Sequence, residues 1–296
     1  MRNIIFIAFI TLIVSMSNCT KSHLMTKNSA RKNKIKVFLL AGQSNMDGRA
    51  DGDKLSKEDK ESLSKAGKNI DFYYNHREVT PLQLTTPSDF VKNKFNLEHS
   101  FGPEIFFGIN LVKKYPDEKF IFIKRAVGGT SLYGCWNPYW TKEKAEVTNE
   151  VDKPKLFSDF IAYTKEVLSR YDTSEYEICG MLWVQGETDS NKNNGDLPAK
   201  TYGQNLKNLI LEVRKQLDAQ DMPFIMFQVG NQTVVNGMKS VTKQLKDVYL
   251  IPQSYDENSP DYYPRNPPPI GHYVTESMKR IGTKFFEVWD RHNNCK

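Results

Sequence analysis

Four positions in this sequence carry groups suited to acyl transfer, and three of them directly follow an apolar run. Ser44 stands in GQSN after the run VFLLA, where a turn would hold its hydroxyl exposed for attack. Gly129 belongs to the pair in AVGGTS, and paired glycines let backbone N–H groups approach a ligand closely. Gln185, after LWV, offers an amide donor. His272, before the last amphipathic segment, offers a base that works near neutral pH.

Each of these residues also has an ordinary structural interpretation. A serine after a strand is often a helix N-cap, paired glycines often form a turn, and a single histidine is more often structural. The combination is more specific, because a nucleophile, a base and separate oxyanion donors together make an acyl-transfer site. The sequence contains no GxSxG, GxGxxG or GxxxxGK[ST] motif, which argues against an ordinary lipase elbow and against nucleotide binding.

The apolar pattern predicts an α/β fold. Short apolar runs predict parallel strands at residues 36–41, 120–124, 178–184, 224–229 and 248–252. Helical patterns cover residues 102–115, 155–171, 202–219 and 275–292. Strands that alternate with helices favour a doubly wound sheet, in which ligands bind beyond the carboxyl ends of the strands. Ser44, Gly129 and Gln185 are therefore expected to lie near one another.

Two stretches depart from this alternation of strands and helices. Residues 47–100 are long and polar, and residues 256–271 are rich in Pro and Asn. Long irregular loops in a compact domain are usually functional or disordered. Both stretches are expected near the strand ends that hold the site.

The N-terminal segment predicts export. Arg2 precedes the apolar run IIFIAFITLIV, which has the length of a signal-peptide core and is too short to span a bilayer comfortably. The following SMSNC is similar to a bacterial lipoprotein signal, which would make residues 1–19 the signal and Cys19 a lipidated first residue. Ordinary cleavage nearby is the alternative. We expect residues 20–34 to form a basic tether and residues 35–296 a single domain, in the periplasm or at the cell surface.

The net charge of +6 comes from the N-terminal part of the chain. Residues 1–34 hold six basic and no acidic residues, so residues 35–296 sum to zero. The domain therefore lacks the basic footprint of a nucleic-acid binder, and its only expected membrane contact is the lipid anchor. Cys135, Cys179 and Cys295 show no metal-ligand spacing. An oxidising compartment permits one disulfide, and the sequence leaves open both the pairing and the alternative that all three are buried free thiols.

Three motifs together resemble one group of esterases. GQSNM, GGTSL…W and WVQGE are similar to the sialate O-acetylesterase and acetylxylan esterase group of the SGNH (GDSL-like) hydrolases, close to carbohydrate esterase family six. The resemblance spans roughly residues 36–289. It implies a flavodoxin-like three-layer α/β/α sandwich with a mainly parallel five-stranded sheet, and it implies no metal or organic cofactor.

The resemblance also implies a role for each candidate residue. Ser44 would be the nucleophile and His272 the general base. The backbone N–H groups of Ser44 and Gly129 and the side chain of Gln185 would form the oxyanion hole. Asn45 would hold the shape of the nucleophile turn and contact the substrate, and His99 is a further candidate for substrate contact. Trp136 fits a sugar-stacking wall and core packing equally well.

One position departs from the pattern of this superfamily. Much of the superfamily has an Asp three residues before the catalytic His, and this sequence has Pro269 there. In some relatives the acid is the glutamate of the WxQGE motif, which is Glu187 in this sequence. The other way to do without the Asp is a Ser–His dyad helped by a backbone carbonyl. Weaker candidates are the acids of the preceding loop, Asp256, Glu257 and Asp261. We expect Glu187 to orient His272.

The expected reaction is removal of O-acetyl groups from a carbohydrate through an acetyl-serine intermediate. Acetylated xylan or a related glycan is the favoured substrate, and O-acetylated sialic acid is the alternative. Two other interpretations stay open. One is a carbohydrate-binding relative that has lost catalysis, as the missing Asp suggests, and the other is a hydrolase of longer acyl esters on the same scaffold.

Overall fold

The fold is described over residues 34–268, 270–293 and 295 of a computed structural model. The predicted signal, Cys19 and the tether up to residue 33 lie outside the described residues, and so does Pro269. None of the helices in the described ranges is long and apolar enough to cross a membrane.

The centre of the molecule is a seven-stranded sheet. The strands of the described chain are β1 (Ile35–Gly42), β2 (Ala50–Asp51), β3 (Ile70–Tyr74), β4 (Thr80–Pro81), β5 (Ser100–Phe101), β6 (Phe120–Ala126), β7 (Tyr176–Val184), β8 (Phe224–Phe227) and β9 (Val248–Ile251). The sheet order is β4-β3-β6-β1-β7-β8-β9, and every neighbouring pair is parallel except β3 with β4. The short strands β2 and β5 form a separate antiparallel pair.

All five predicted strands are confirmed, but the predicted strand count is wrong. The two additional strands, β3 and β4, lie inside residues 47–100, which the sequence analysis treated as irregular. Strand β3 has the sequence IDFYY, with an exposed Asp71 inside it and the polar NHRE after it. Because of these polar residues, β3 is not recognisable in the sequence as an apolar run. Its burial results from its neighbours in the sheet.

The helices are α1 (Ser44–Asp47), α2 (Lys57–Gly67), α3 (Asp89–Phe95), α4 (Glu104–Lys114), α5 (Lys142–Val147), α6 (Leu156–Leu168), α7 (Leu197–Gln216), α8 (Gln232–Gln244) and α9 (Thr275–His292). The four predicted helices are confirmed as α4, α6, α7 and α9. Local signals fix where other helices begin: Ser56 and Asp59 form a capping box at α2, and the Asn231 side chain caps α8.

Helices cover both faces of the sheet. On one face, Phe38 of β1 packs against Phe107 of α4 and Trp289 of α9, with ring centroids 4.9 and 5.0 Å apart. On the other face, the indole N–H of Trp183 in β7 donates to the Tyr202 hydroxyl of α7. The predicted three-layer α/β/α sandwich is therefore confirmed.

One disulfide joins the centre of the fold to the end of the chain. Cys179 in β7 is bonded to Cys295, with Cα atoms 5.6 Å apart, and Cys135 is a buried free thiol. This pairing answers a question that the sequence left open, because only proximity in three dimensions selects one pair among three cysteines.

Candidate active site

The nucleophile turn begins at Gly42, where β1 ends. Gly42 has φ 150°, and a Cβ atom there would lie 2.1 Å from the carbonyl oxygen of Val184, so only glycine fits this position. The N–H of Gln43 then donates to the same carbonyl over 3.0 Å, and Ser44 opens the short helix α1. Ser44 keeps 9% of its surface exposed and lines a cleft of about 550 Å³. The turn thus presents the serine at the carboxyl end of β1, as predicted from the strand pattern.

The paired glycines after β6 lie beside this serine. A Cβ atom on Gly128 would lie 3.5 Å from the Ser44 Cβ, and Gly129 adopts φ 67° and faces open space. The backbone N–H groups of Ser44 and Gly129 donate no hydrogen bond within the described part of the chain. Two free N–H donors beside a candidate nucleophile are the arrangement that binds a tetrahedral oxyanion.

Residues 128–135, which we call the oxyanion loop, are anchored by two buried carboxylates. The first is Glu150, which is fully buried. Its carboxylate accepts hydrogen bonds from the N–H of Ser131 over 2.8 Å and of Cys135 over 3.2 Å. It also accepts from the hydroxyl of Thr148 over 2.7 Å and from the hydroxyl of Ser131. This set of donors compensates the cost of burying the carboxylate and fixes the outer half of the loop.

Lys153 connects Glu150 to the oxyanion site itself. Its ammonium donates a 2.6 Å hydrogen bond to the carbonyl oxygen of Gly129 and lies 3.5 Å from Glu150. Because this bond fixes the peptide that follows Gly129, it limits rotation of this glycine, which lines the cleft.

The second buried carboxylate is Asp189. It accepts from the N–H groups of Leu132 and Tyr133 over 2.8 and 2.9 Å and from the Gln185 amide over 2.6 Å. Burial raises the pKa of Asp189 to about 7, against these hydrogen bonds, which favour the charged form. The Gln185 amide also donates to the carbonyl of Thr130 over 3.0 Å.

Gln185 therefore supports the oxyanion loop through its hydrogen bonds to Thr130 and Asp189. Its side chain is fully buried and is not among the residues that line the cleft. Its role as a third oxyanion donor stays a prediction, and the contacts of its amide point to loop support instead.

His272 lines the same cleft as Ser44. Its ring packs edge-on against Phe95 of α3, with centroids 4.9 Å apart and planes at 90°. The carbonyl of His272 accepts from the backbone N–H of Asn266 over 2.7 Å, which fixes the main chain. No hydrogen bond joins the imidazole to Ser44 among the described residues, although such bonds are often looser before substrate binds.

The imidazole of His272 has no acid partner in the described part of the chain. Its Nδ1 is buried and without a hydrogen bond. Burial, followed by the positive charges of Arg49, Arg265 and Lys94, lowers the pKa of His272 from 6.5 to about 4. The ring is therefore neutral, and able to accept a proton, over the whole neutral range of pH.

Glu187 contacts the nucleophile turn. Its Oε1 accepts a 2.8 Å hydrogen bond from the Nδ2 of Asn45, and its Oε2 is buried without a partner. Asn45 is 98% buried, which fits the predicted role in holding the turn and leaves little surface for substrate contact. No hydrogen bond links Glu187 to His272 among the described residues, so its role as the orienting acid stays a prediction.

A buried ion pair supports the same turn from the sheet. Lys124 and Glu104 are both fully buried, and their charged groups lie 2.8 Å apart. The Lys124 ammonium also donates to the carbonyl of Asp47 over 3.1 Å, at the end of α1. The helix that carries Ser44 is thus held at one end by Glu187 and at the other by Lys124.

The cleft carries an excess of positive charge. Arg49 is largely buried and pairs with Asp47 over 2.6 Å, so these two charges offset each other. Arg77 and Lys94 also line the cleft and have no ion-pair partner within the described ranges. With neutral His272, the lining therefore carries two uncompensated positive charges.

Two sequence predictions about substrate contact do not fit the structure. Trp136 is fully buried, and its indole N–H donates to Thr130 while its ring packs against Trp183 at 5.3 Å. Trp136 therefore belongs to the core, because the loop after Gly129 turns inward. This is the second of the two roles that the sequence left open for it. His99 is half exposed, interacts with Asp53 over 2.9 Å and does not line the cleft.

The cleft wall formed by α3 was not predicted from the sequence. Phe90, Lys94 and Phe95 of this helix all line the cleft. Their positions at i, i+4 and i+5 are a helical signal, but it lies within a single seven-residue helix inside a polar stretch. Glu150 and Asp189 were also missed, because nothing local marks a carboxylate that binds a distant loop.

One group of described residues has the spacing of metal ligands, and it lies away from the cleft. The ligand atoms of Glu177, Cys179 and Cys295 are within 4.8 Å of one another, near the amino end of β7. Cys179 and Cys295 are joined in the disulfide, which removes both thiolates as ligands.

A protein-family model described as "Carbohydrate esterase, sialic acid-specific acetylesterase" matches residues 34–289. The chain belongs to this family of carbohydrate esterases. The match covers every element of the sheet and every candidate residue of the site. A search among curated proteins found no match.

Solved structures share the fold of this carbohydrate esterase. A protein from Arabidopsis thaliana matches over 88% of this chain and 99% of its own, with TM-score 0.60 and 19% identity. NanS matches over 88% of this chain and 98% of its own, with TM-score 0.60 and 14% identity. A carbohydrate acetylesterase from Xanthomonas citri matches over 86% of this chain and 56% of its own, with TM-score 0.58 and 16% identity. At these identities the matches show a common fold and nothing further.

Proposed function

We propose that this protein is a serine esterase that removes O-acetyl groups from a sugar carrying negative charge. The observation that supports the chemistry most directly is the meeting of Ser44, Gly129 and His272 in one cleft, with two free backbone N–H donors beside the serine. Membership of the carbohydrate esterase family supports the ester class.

The proposed reaction follows from these groups. His272 accepts the Ser44 proton as the oxygen attacks the acetyl carbonyl. The N–H groups of Ser44 and Gly129 bind the developing oxyanion. The bond between the acetyl carbon and the sugar oxygen then breaks, and His272 gives the proton to that oxygen, so that the sugar leaves with a free hydroxyl. His272 then takes a proton from water as the water oxygen attacks the acetyl-Ser44 ester. The bond between the acetyl carbon and the Ser44 oxygen breaks, acetate leaves, and His272 returns the proton to the Ser44 oxygen.

The charge of the cleft supports an anionic sugar over neutral xylan. Arg77 and Lys94 line the cleft and have no ion-pair partner among the described residues. A carboxylate on the substrate would form charge-assisted hydrogen bonds with such groups and would be attracted into the cleft. O-acetylated sialic acid and acetylated sugars that carry uronic acid both meet this requirement, whereas unsubstituted acetylxylan does not.

The test is acetate release by the protein and by its Ser44→Ala variant from O-acetylated sialic acid, acetylated glucuronoxylan, neutral acetylated xylan and nitrophenyl acetate. We expect release that disappears in Ser44→Ala, with kcat/KM highest for the anionic substrates and this preference reduced by added salt. Equal turnover of neutral and anionic substrates at low salt would refute the charge preference and leave the esterase assignment intact.

The lack of an acid partner for His272 among the described residues supports a second candidate, a carbohydrate-binding relative without catalysis. In that case the folded protein would release no acetate from any ester and would still bind the deacetylated glycan. Ser44→Ala would then bind as well as the unaltered protein.

The predicted export and the lipid anchor at Cys19 remain proposals on the sequence signal alone. Metabolic labelling with a fatty acid, compared between the unaltered chain and Cys19→Ala, tests them. Label that persists in Cys19→Ala would rule out this attachment site.

A further inference from the structure

Phe90 is an exposed aromatic residue on the wall of the catalytic cleft. It is 69% exposed, and among the described large apolar residues only Tyr255, at 72%, is more exposed. Single exposed apolar residues are common on protein surfaces and need no explanation by themselves. Phe90 differs because its ring lines the cleft that holds Ser44 and His272.

Phe90 and His272 are related through two neighbouring side chains of the cleft wall, Phe95 and Lys94. His272 packs on Phe95 with centroids 4.9 Å apart. The ammonium of Lys94 lies 5.4 Å from the Phe95 ring and 5.3 Å from the Phe90 ring, so it lies close to both. Five residues of an α-helix rise about 7.5 Å along its axis. Phe90 is therefore separated along the helix axis from Phe95, the residue on which His272 packs, by a length comparable with one sugar unit.

We propose that Phe90 and Lys94 form a subsite for a second sugar ring, next to the ring that carries the acetyl group. The C–H face of a pyranose would pack on the aromatic ring, and Lys94 would donate to a hydroxyl or carboxylate of the same sugar. The substrate is then an acetylated sugar within an oligosaccharide rather than a free monosaccharide. This inference rests on the proposed esterase function and names the size of its substrate.

The chemistry of the wall favours a sugar over another partner. A single ring is far too small for a protein interface, which needs a contiguous patch of many residues. The subsite is continuous with the cleft and combines one apolar face with one unpaired cation. That combination suits a ring with an apolar face and a polar edge, which is the surface of a pyranose.

The experiment compares one acetylated sugar as a monosaccharide and as the end of an oligosaccharide. For each, kcat/KM is measured with the unaltered chain, with Phe90→Ala and with Tyr255→Ala, an equally exposed aromatic that does not line the cleft. We expect Phe90→Ala to lower the ratio of oligosaccharide to monosaccharide kcat/KM about tenfold, mainly through KM. Tyr255→Ala is expected to leave the ratio unchanged. An unchanged ratio in Phe90→Ala, whether or not total activity falls, would overturn the subsite.

A binding measurement separates this inference from the esterase proposal. Calorimetry with the deacetylated oligosaccharide is run on Ser44→Ala and on Ser44→Ala with Phe90→Ala. We expect about tenfold weaker binding when Phe90 is removed, even if the unaltered protein releases no acetate. Equal affinity of the two variants would refute the subsite, and absent acetate release with intact binding would refute only the esterase.

Discussion

The two sides of the candidate active-site cleft are held in place by different means. On the oxyanion side, five successive backbone N–H groups, from residue 131 to residue 135, donate to side-chain oxygens of Glu150, Asp189 and Ser131. On the base side, the Nδ1 of His272 accepts or donates no hydrogen bond among the described residues, and its ring packs against Phe95. The oxyanion side is thus fixed by hydrogen bonds, and the base side by packing and by the charges around it.

This difference separates two requirements of acyl transfer. Binding a developing negative charge requires dipoles that are already oriented before the reaction starts, and hydrogen bonds to buried carboxylates supply that order. Accepting a proton requires mainly a neutral base within reach. Burial and nearby cations keep His272 neutral without any acid. The missing Asp therefore alters how the base is oriented more than whether it is neutral.

The largest loss of activity is expected when the hydrogen bonds that anchor the oxyanion loop are removed. Glu150→Gln removes the charge that accepts from Ser131, Cys135 and Thr148, so these buried donors lose their best acceptor. We expect kcat to fall about 10²-fold, as when an oxyanion donor is lost, and the free energy of unfolding to fall by about 3 kcal/mol. Turnover of nitrophenyl acetate and urea unfolding measure the two effects.

A matched control for Glu150 is available on α5. Glu146→Gln changes an exposed glutamate that forms a surface ion pair with Lys142, and it should alter neither quantity measurably. Unaltered kcat in Glu150→Gln would show that the oxyanion loop needs no carboxylate anchor.

The next effect concerns the pH dependence of the base side. Protonated His272 cannot accept the Ser44 proton, and its pKa is lowered to about 4 by burial and by Arg49. We expect kcat/KM to stay level between pH 6.5 and 5 and to fall about tenfold per pH unit below pH 4. Initial rates from pH 3.5 to 6.5 measure it. An acidic limb near pH 6.5 would mean that a carboxylate or water raises the pKa of His272 in the working enzyme.

A smaller effect is expected at the link between Glu150 and Gly129. Lys153→Met removes the 2.6 Å hydrogen bond to the Gly129 carbonyl, and 38% exposure of the lysine limits its strength. We expect kcat to fall about fivefold with KM unchanged, because the oxyanion exists only in the transition state. Lys153→Arg should recover part of the loss, and Lys165→Met on the outside of α6 serves as control. A change confined to KM would contradict this positioning role.

The smallest effect is expected at Glu187, the acid predicted from the sequence. In Glu187→Gln the new amide oxygen can still accept from Asn45, so we expect kcat/KM within about threefold of the unaltered protein. Steady-state kinetics across the acidic pH range measure it. A loss approaching 10⁴-fold would instead identify Glu187 as the group that orients His272, as in the comparable Ser-His-Asp system.

The strands that position Ser44 and Gly129 could be predicted from the sequence, whereas the buried carboxylates that anchor the oxyanion loop could not. Apolar runs placed β1 and β6, so Ser44 and Gly129 were expected together at the carboxyl ends of strands. Glu150 and Asp189 escaped prediction because the backbone donors that they bind in the oxyanion loop lie 15 to 57 residues away in the chain. Residues 89–95 form the cleft wall as one short helix, and a pattern of seven residues is too brief to distinguish from a loop.

The bond between Cys179 and Cys295, which are 116 positions apart in the sequence, closes this part of the chain into a covalent ring. His272 and the exposed loop at residues 256–268 lie within that ring, whereas Ser44 lies outside it. A single protease cut in the loop would therefore leave both new ends attached to the same molecule. The base would remain tethered to β7 after nicking, and only a second break, in the polypeptide or in the disulfide, would release it.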